Sequence, residues 1–357
     1  CTEIYEKGGQ SLMRVSVASY QAVSILHGGP NTQLRKTMQH IGEFGVDMRL
    51  FDPWASFRKE DCDVFHIFAA NVGTYHLAHE IHVLGVPMVV SPIFFRLQSP
   101  AIIKSFLYAT RFAQHLTQSI WTDVGFTAEM CSWSQKVLPN SKAEGELISR
   151  SFGIAQSKIT VIPNGVDERF YHAEPSLFKK TYGLENFILN VGHIGHTRKN
   201  VLSLIKALGQ IDHPSVIIGR IISGKYGDAC VAEAKKHKHI LLIDGLDNDS
   251  DMLASAYAAA DTFVLPSLFE TPGIAALEAG LAGSKIVITP HGGTEEYFGR
   301  MAEYVDPHSV ESIRAGVVKA LQSNKDDRLR ERIRNEFLWQ HVARKTAAAY
   351  KLISGKE

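Results

Sequence analysis

The sequence predicts an α/β protein made of two doubly wound, parallel-sheet domains that face each other across a cleft. Three observations carry this. Short apolar runs alternate with amphipathic helical stretches almost throughout, the sequence form of a parallel sheet with helices on both faces. Between Val166 and Glu185 the alternation is interrupted by Asp167, Glu174, Pro175 and Tyr182-Gly183, and then it restarts. A length of 357 residues exceeds what one core comfortably holds and suits two.

In the first half, Arg14 to Ser19 reads as a strand leading through Ile25-Leu26-His27 to Gly28-Gly29, and Thr32 to Phe44 as a helix stopped by Gly45. Met48 to Phe51, Val64 to Phe68 and Val86 to Val90 are the next strands, with a helix over Tyr75 to Leu84 before the last of them. A basic-aromatic segment, Ile102 to Leu116, is followed by an irregular stretch rich in Trp and Ser. Then come a strand at Lys136 to Leu138, a helix at Ala143 to Phe152 and a strand at Ile159 to Ile162. In the second half the strands are Phe187 to Val191, Val216 to Ile222, Ile240 to Ile243, Thr262 to Leu265 and Ile286 to Thr289, with a helix at Val201 to Leu208 and another from Met252 to Ala260.

Composition bounds the function. Apolar content of 45% and charged content of 21% describe an ordinary globular protein, and a formal net charge of +1 argues against nucleic acid as a partner, which needs a basic field. No run approaches the ~18 apolar residues of a membrane span, and no leader segment is read. Cys1, Cys62, Cys131 and Cys230 show no CxxC pairing, so reduced thiols in a cytoplasmic protein are expected.

The stretch Val264 to Gly280, VLPSLFETPGIAALEAG, concentrates the chemistry. A buried strand ends near Ser267, and Pro272 with Thr271 as N-cap predicts that a helix begins there. Such a helix start at the carboxyl end of a strand offers unpaired N–H groups to an anion. Glu270 stands at its mouth, and Glu278 follows eight residues later, about 12 Å along a helix, which is close to the span of a nucleotide diphosphate-sugar. Solvated charges on a surface helix are the plainer reading of the two glutamates taken alone. A second loop, Gly192-His193-Ile194-Gly195-His196-Thr197-Arg198-Lys199-Asn200, puts two cations at a helix start, an unfavourable placement unless an anion lies between them. Gly28-Gly29 allows close backbone approach to a phosphate or sugar, and is equally well a tight turn. His76, His79 and His82 lack the H-E-x-x-H form of a zinc site. Asp247-Asn248-Asp249 precedes a helix and reads as an N-cap with first-turn acids, with Asp249 or Ser250 as the cap.

At LPSLFETPGIAALEAGLAG the chain resembles the retaining glycosyltransferases of family 4, whose Glu, seven residues, Glu signature falls on Glu270 and Glu278. Supporting matches are VIPNGVD at Val161 to Asp167, LPNS at Leu138 to Ser141, RKN at Arg198 to Asn200 and HGGTEEYFG at His291 to Gly299. Phe337 to Tyr350 is similar to the family's closing helix. The resemblance implies the GT-B architecture: an acceptor-binding Rossmann-like domain over 1–166, a nucleotide-sugar donor domain over 167–335, and a C-terminal helix over 336–357 crossing back to the first domain. It implies transfer of a hexose from a nucleotide-diphosphate sugar to a glycan, lipid-linked or small-molecule acceptor, without a metal or cofactor. By the same resemblance Glu278 holds the ribose, Glu270 the donor sugar, Gly273, Ile274 and Ala275 with Thr271 the diphosphate, and Lys199 and Arg198 the charge on the leaving phosphate. His193 and Gly28-Gly29 join the donor-binding set.

Two positions depart from the family pattern. His193 stands where many relatives carry Arg, and Ser91-Pro92 where many carry His after the fourth strand. His27, His66 or Asn71 is expected to supply the missing polar contact. A binding protein of weak or absent catalysis and a nucleotide-sugar epimerase are the alternatives these departures leave open. The segment with Phe94, Phe95, Arg96, Lys104, Phe106, Arg111 and Phe112 allows a peripheral membrane contact. A helix covering the core with its cations outward is the preferred reading.

Overall fold

The computed structural model describes residues 12–26, 28–117 and 121–354. Two compact units result, one up to Asn164 and again from Trp339 on, the other Gly165–Leu338.

In the first unit the elements are β1 (Met13–Ala18), α1 (Val23–Leu26), α2 (Gly29–Ile41), β2 (Val46–Leu50), β3 (Val64–Phe68), α3 (Val72–Val83), β4 (Met88–Ser91), α4 (Pro100–Thr117), α5 (Asp123–Trp133), β5 (Lys136–Val137) and α6 (Lys142–Phe152). The sheet is parallel, in the order β2-β1-β3-β4-β5. Its pleat divides the core: along β3, Val64 and Phe68 join one cluster while Phe65 and Ile67 join the cluster on the other face. Gly45, at φ +80, ends the α2 region as expected, a backbone conformation that glycine adopts without steric cost.

Two expectations fail here. Ile159 to Ile162 is no strand: Val137 and Ile159 form a single bridge, because β5 runs directly into Pro139, which has no N–H to continue the ladder. The Trp- and Ser-rich stretch contains α5, capped by the Thr122 hydroxyl accepting from Gly125 N–H at 3.1 Å. Its buried positions Thr127, Ala128, Met130 and Cys131 form no apolar stripe to read. The basic-aromatic segment is a helix, α4, that covers the core with Ile103 and Leu107 and turns Lys104 and Arg111 outward, as expected, but it also exposes Ile102, Phe106, Phe112 and Leu116.

The second unit contains α7 (Ser176–Tyr182), β6 (Phe187–Val191), α8 (Val201–Leu208), β7 (Ser215–Ile218), α9 (Lys225–Ala234), β8 (Ile240–Ile243), α10 (Asp251–Ala259), β9 (Ala260–Leu265), α11 (Ile274–Leu281), β10 (Lys285–Ile288), α12 (Thr294–Phe298), β11 (Ala302–Tyr304), α13 (Val310–Gln322) and α14 (Arg328–Glu336). Its parallel sheet runs β8-β7-β6-β9-β10-β11. The chain builds outward from β6 to one edge, returns, and builds to the other from β9. Strand order therefore reverses between β6 and β9, the point where doubly wound sheets hold their ligands. Ser250 caps α10, accepting from Leu253 N–H at 3.3 Å, as its sequence position implies.

The chain re-enters the first unit through α15 (Trp339–Ser354), which packs on α2 and β3. Its Tyr350 hydroxyl lies 2.6 Å from His66 Nδ1, and Ser91 Oγ lies 3.0 Å from the other ring nitrogen. His66 is thus enclosed between strand and helix, and Asn71 is committed to capping α3 by accepting from Gly73 N–H at 2.9 Å. Neither side chain is available to replace the family's usual histidine, and His27 lies outside the described residues.

Burial holds the His66 ring down at about 3, against an ordinary 6.5. Between these values the unfolded chain takes up a proton that the folded chain refuses, so stability is complete above about 6.5 and falls as pH drops toward about 3. The slope from this one group is at most ~1.4 kcal/mol per pH unit. Urea midpoints measured across this window should flatten in His66→Gln relative to the parent; an unchanged slope would exclude His66 as its source.

Candidate active site

The loops that leave β6 and β9 meet at the reversal point. Asn200, at φ +57, ends the basic loop in the left-handed region, which asparagine tolerates better than most residues. Its Nδ2 donates to the carbonyls of Pro266 at 3.0 Å and Pro307 at 2.6 Å. Leu268 N–H donates to the Arg198 carbonyl at 2.8 Å. These bonds fix the β6 loop against the end of β9 and leave Arg198 and Lys199 pointing at the segment that carries Glu270.

Glu270 is 6% exposed. Lys199 Nζ donates to its Oε1 at 2.6 Å and an Arg198 guanidinium nitrogen to the same oxygen at 3.1 Å. Arg198 also donates to the Phe269 carbonyl at 3.0 Å. Burial acts to raise the Glu270 carboxyl, but Lys199 and then Arg198 outweigh it and hold the group below its ordinary value. The anion that the two cations demand is therefore a carboxylate of the chain itself. Ionised and paired, Glu270 is an acceptor of hydrogen bonds rather than a proton donor.

The backbone of Glu270 is fixed from the other side. Its N–H donates to the His291 carbonyl at 3.0 Å, and its carbonyl accepts from Gly293 N–H at 2.9 Å. Gly292 between them has φ +107, and a Cβ there would meet the Glu270 carbonyl oxygen at 1.9 Å. Only glycine fits, which gives the His291-Gly292-Gly293 run a physical reason.

The helix starts later than the sequence predicts. Thr271–Pro272 is a cis bond, Gly273 follows at φ +84, and α11 begins at Ile274. Thr271 is not the N-cap and Pro272 is not in the first turn, because the left-handed Gly273 breaks the helical path between them and α11. Among the described residues nothing accepts from the N–H groups of Gly273, Ile274 or Ala275. These three donors are the orphans of a helix start.

Glu278, half-buried on α11, accepts from the Tyr257 hydroxyl at 2.7 Å. Burial raises its carboxyl above the ordinary value, Asp167 and Asp249 adding to this while Tyr257 and Arg169 oppose it. Tyr257, on α10, is fully buried. Burial and the neighbouring Glu278 push its own ionisation far upward, so it remains a donor. Tyr257 sits in an apolar helical run, where no local signal marks it as part of the site.

Glu270, Lys199 and Arg198 thus form one contact group, with Gly273, Ile274, Ala275 and Glu278 on the adjoining turn and helix. His193 lies half-buried in the β6 loop, its ring edge-on to that of His196 at 5.5 Å. Gly28 and Gly29 belong to the other unit, where Gly28 precedes the first turn of α2 and a Cβ on Gly29 would meet nothing within 4 Å. On α3, His82 stacks on Trp133 at 5.3 Å and His79 meets the same ring edge-on at 5.6 Å. Among the described residues no three side chains are grouped to ligate a metal.

Two family models match the chain: Glycosyl transferases group 1 over residues 177–336 and Glycosyltransferase Family 4 over residues 43–170. An uncharacterized glycosyltransferase of Methanocaldococcus jannaschii is 30% identical over 249 residues, 63% of this chain and 61% of the relative. A glycogen synthase of Mycobacterium tuberculosis is 30% identical over 233 residues, 61% of this chain and 54% of the relative. The chain thus spans little more than half the length of these two curated relatives. Among solved structures, a sucrose-phosphate synthase from Thermosynechococcus elongatus shares the fold, with a TM-score of 0.72 over 97% of this chain and 100% of that one, at 15% identity.

Proposed function

Because the chain belongs to the glycosyltransferases of group 1 and family 4, with the GT-B pair of Rossmann-like sheets, we propose that it is a retaining, metal-independent hexosyltransferase. The donor is a nucleotide-diphosphate sugar and the acceptor a glycan, a lipid-linked sugar or a small molecule. The observation that carries this reading is the convergence of Lys199 and Arg198 on Glu270 beside the free N–H groups of α11.

Each residue then has a task. As the glycosidic bond breaks, negative charge grows on the departing diphosphate. Lys199 and Arg198 stabilise that charge, and the Gly273, Ile274 and Ala275 N–H groups hold the phosphate oxygens. Glu270, kept ionised by the same cations, accepts from donor-sugar hydroxyls. Glu278 accepts from the ribose hydroxyls. Two cations supply the positive charge that other phosphoryl and glycosyl sites draw from a metal ion.

Thermal melting with uridine, guanosine and adenosine diphosphates, each with and without EDTA, tests the reading. One diphosphate should raise the midpoint by several degrees when present at about 100 times its Kd, equivalent to ~2.7 kcal/mol, with EDTA making no difference. If none of the three shifts the midpoint, the donor site is wrongly placed; if EDTA removes the shift, the metal-free part is wrong. Consumption of the corresponding nucleotide sugar with retained anomeric configuration, followed by NMR, separates transfer from binding alone.

A further inference from the structure

In the first unit, α4 carries a surface that its fold leaves unused. The buried side of its 18 residues is Ile103 and Leu107, with Thr110 and Gln114 half-buried. Steps of four, three and four place these on one stripe. Around the rest of the helix the exposed residues are chiefly apolar: Ile102 at 58%, Phe106 at 47%, Tyr108 at 62%, Phe112 at 69% and Leu116 at 73%. An ordinary surface helix turns polar residues to water, and single exposed apolar residues need no explanation, but five on one helix form a patch of the kind that marks an interaction site.

The charges that α4 itself carries have one sign. From Ile81 to Thr122 the chain contains no Asp or Glu. Lys104 and Arg111, seven residues apart and so on one side of α4 with Tyr108 between them, are both exposed, as is Arg96 just before the helix. A groove of about 360 Å³ between the first turns of α4 and the start of α5 extends the apolar surface through Ile102, Phe106 and Val124; Arg96 and Asp123 also line it.

We propose that the outward face of α4 docks on an anionic lipid surface, Phe112 and Leu116 entering the acyl boundary while Lys104 and Arg111 remain among the headgroups. An interfacial helix needs this combination of a bulky apolar face and flanking cations with no acid in between. Tyr108, an apolar ring with a polar end, suits the headgroup level. No helix of the described residues is long and apolar enough to cross a membrane, so the contact lies on the surface. A second copy of the chain fits the patch poorly. A two-fold contact would bring the patch onto itself, setting Lys104 and Arg111 against like charges with no carboxylate from this segment to meet them. The contact lies in a different unit from Glu270 and Glu278 and stands or falls independently of the donor reading.

The test is flotation of the full chain with vesicles of phosphatidylcholine alone and of phosphatidylcholine and phosphatidylglycerol in equal parts. The protein should float with the anionic vesicles only, and about 0.5 M salt should release it. Phe112→Ser with Leu116→Ser should weaken vesicle binding at least about tenfold, and Lys104→Gln with Arg111→Gln by roughly tenfold to thirtyfold. Because all four side chains are exposed, the melting midpoint should be unchanged in both variants, which separates lost docking from lost folding. Failure to float with either vesicle, or flotation that neither variant weakens, overturns the proposal. Self-association in sedimentation equilibrium that Phe112→Ser abolishes overturns it in favour of a contact between copies.

Discussion

Glu278→Ala is expected to weaken nucleotide diphosphate binding by roughly 10²- to 10⁴-fold. A carboxylate accepting two ribose hydroxyls makes two charge-assisted bonds of about 1.5–3 kcal/mol each. The same change leaves the Tyr257 hydroxyl, fully buried and donating to Glu278 at 2.7 Å, without its acceptor. That costs about 1–3 kcal/mol of folding stability, so calorimetric binding and urea unfolding must be read together. Tyr257→Phe separates the two effects. The hydroxyl favours the ionised carboxylate, and burial already raises the Glu278 carboxyl. Without the hydroxyl the carboxyl takes its proton at still higher pH. Binding by the ionised form falls as pH falls through that value, so the acid limb of nucleotide affinity should move upward in pH in Tyr257→Phe while affinity well above the limb changes little. An acid limb that stays in place would show that Glu278 does not contact the ribose as an anion.

Much of this protein was legible because its strands are continuous apolar runs. Phe187–Val191 and Ile240–Ile243 are bounded as their sequences predict, since strands that carry apolar side chains on both faces need no alternation to be recognised. Elements without a periodic stripe were not. In α5 the buried face is built partly from Thr127 and Cys131, and Thr127 serves there by donating to the Ala70 carbonyl at 2.8 Å, a contact no local pattern announces. The candidate site divides the same way. Glu270, Glu278, Arg198 and Lys199 could be named as residues, but their mutual geometry could not. Lys199 and Glu270 are 71 positions apart, and they meet because strand order reverses between β6 and β9. The loop's cations pointed to an anion, and the nearest one proved to be inside the chain. Tyr257 acts through one side-chain bond across the fold and Asn200 through two, and both hide within segments whose composition is explained by helix or turn.

Lys199→Met is expected to lower kcat by about 10²- to 10³-fold, the scale lost when one preorganised donor to developing negative charge is removed. Arg198→Ala should cost less, because its side chain is 41% exposed against 18% for Lys199 and its charge is better screened by water. A loss of activity in Lys199→Met has a second possible source. Glu270 remains buried with only Arg198 to compensate it, and an under-compensated buried charge destabilises the site. Glu270→Gln combined with Lys199→Met removes that charge together with its partner. The double variant should recover most of the melting midpoint lost in the single one, because the two side chains are coupled through one oxygen and their effects on stability do not add. It should recover none of the activity, since the diphosphate still departs without its cation. Recovery of kcat along with stability would make Lys199 a structural counter-ion to Glu270 and remove it from the chemistry.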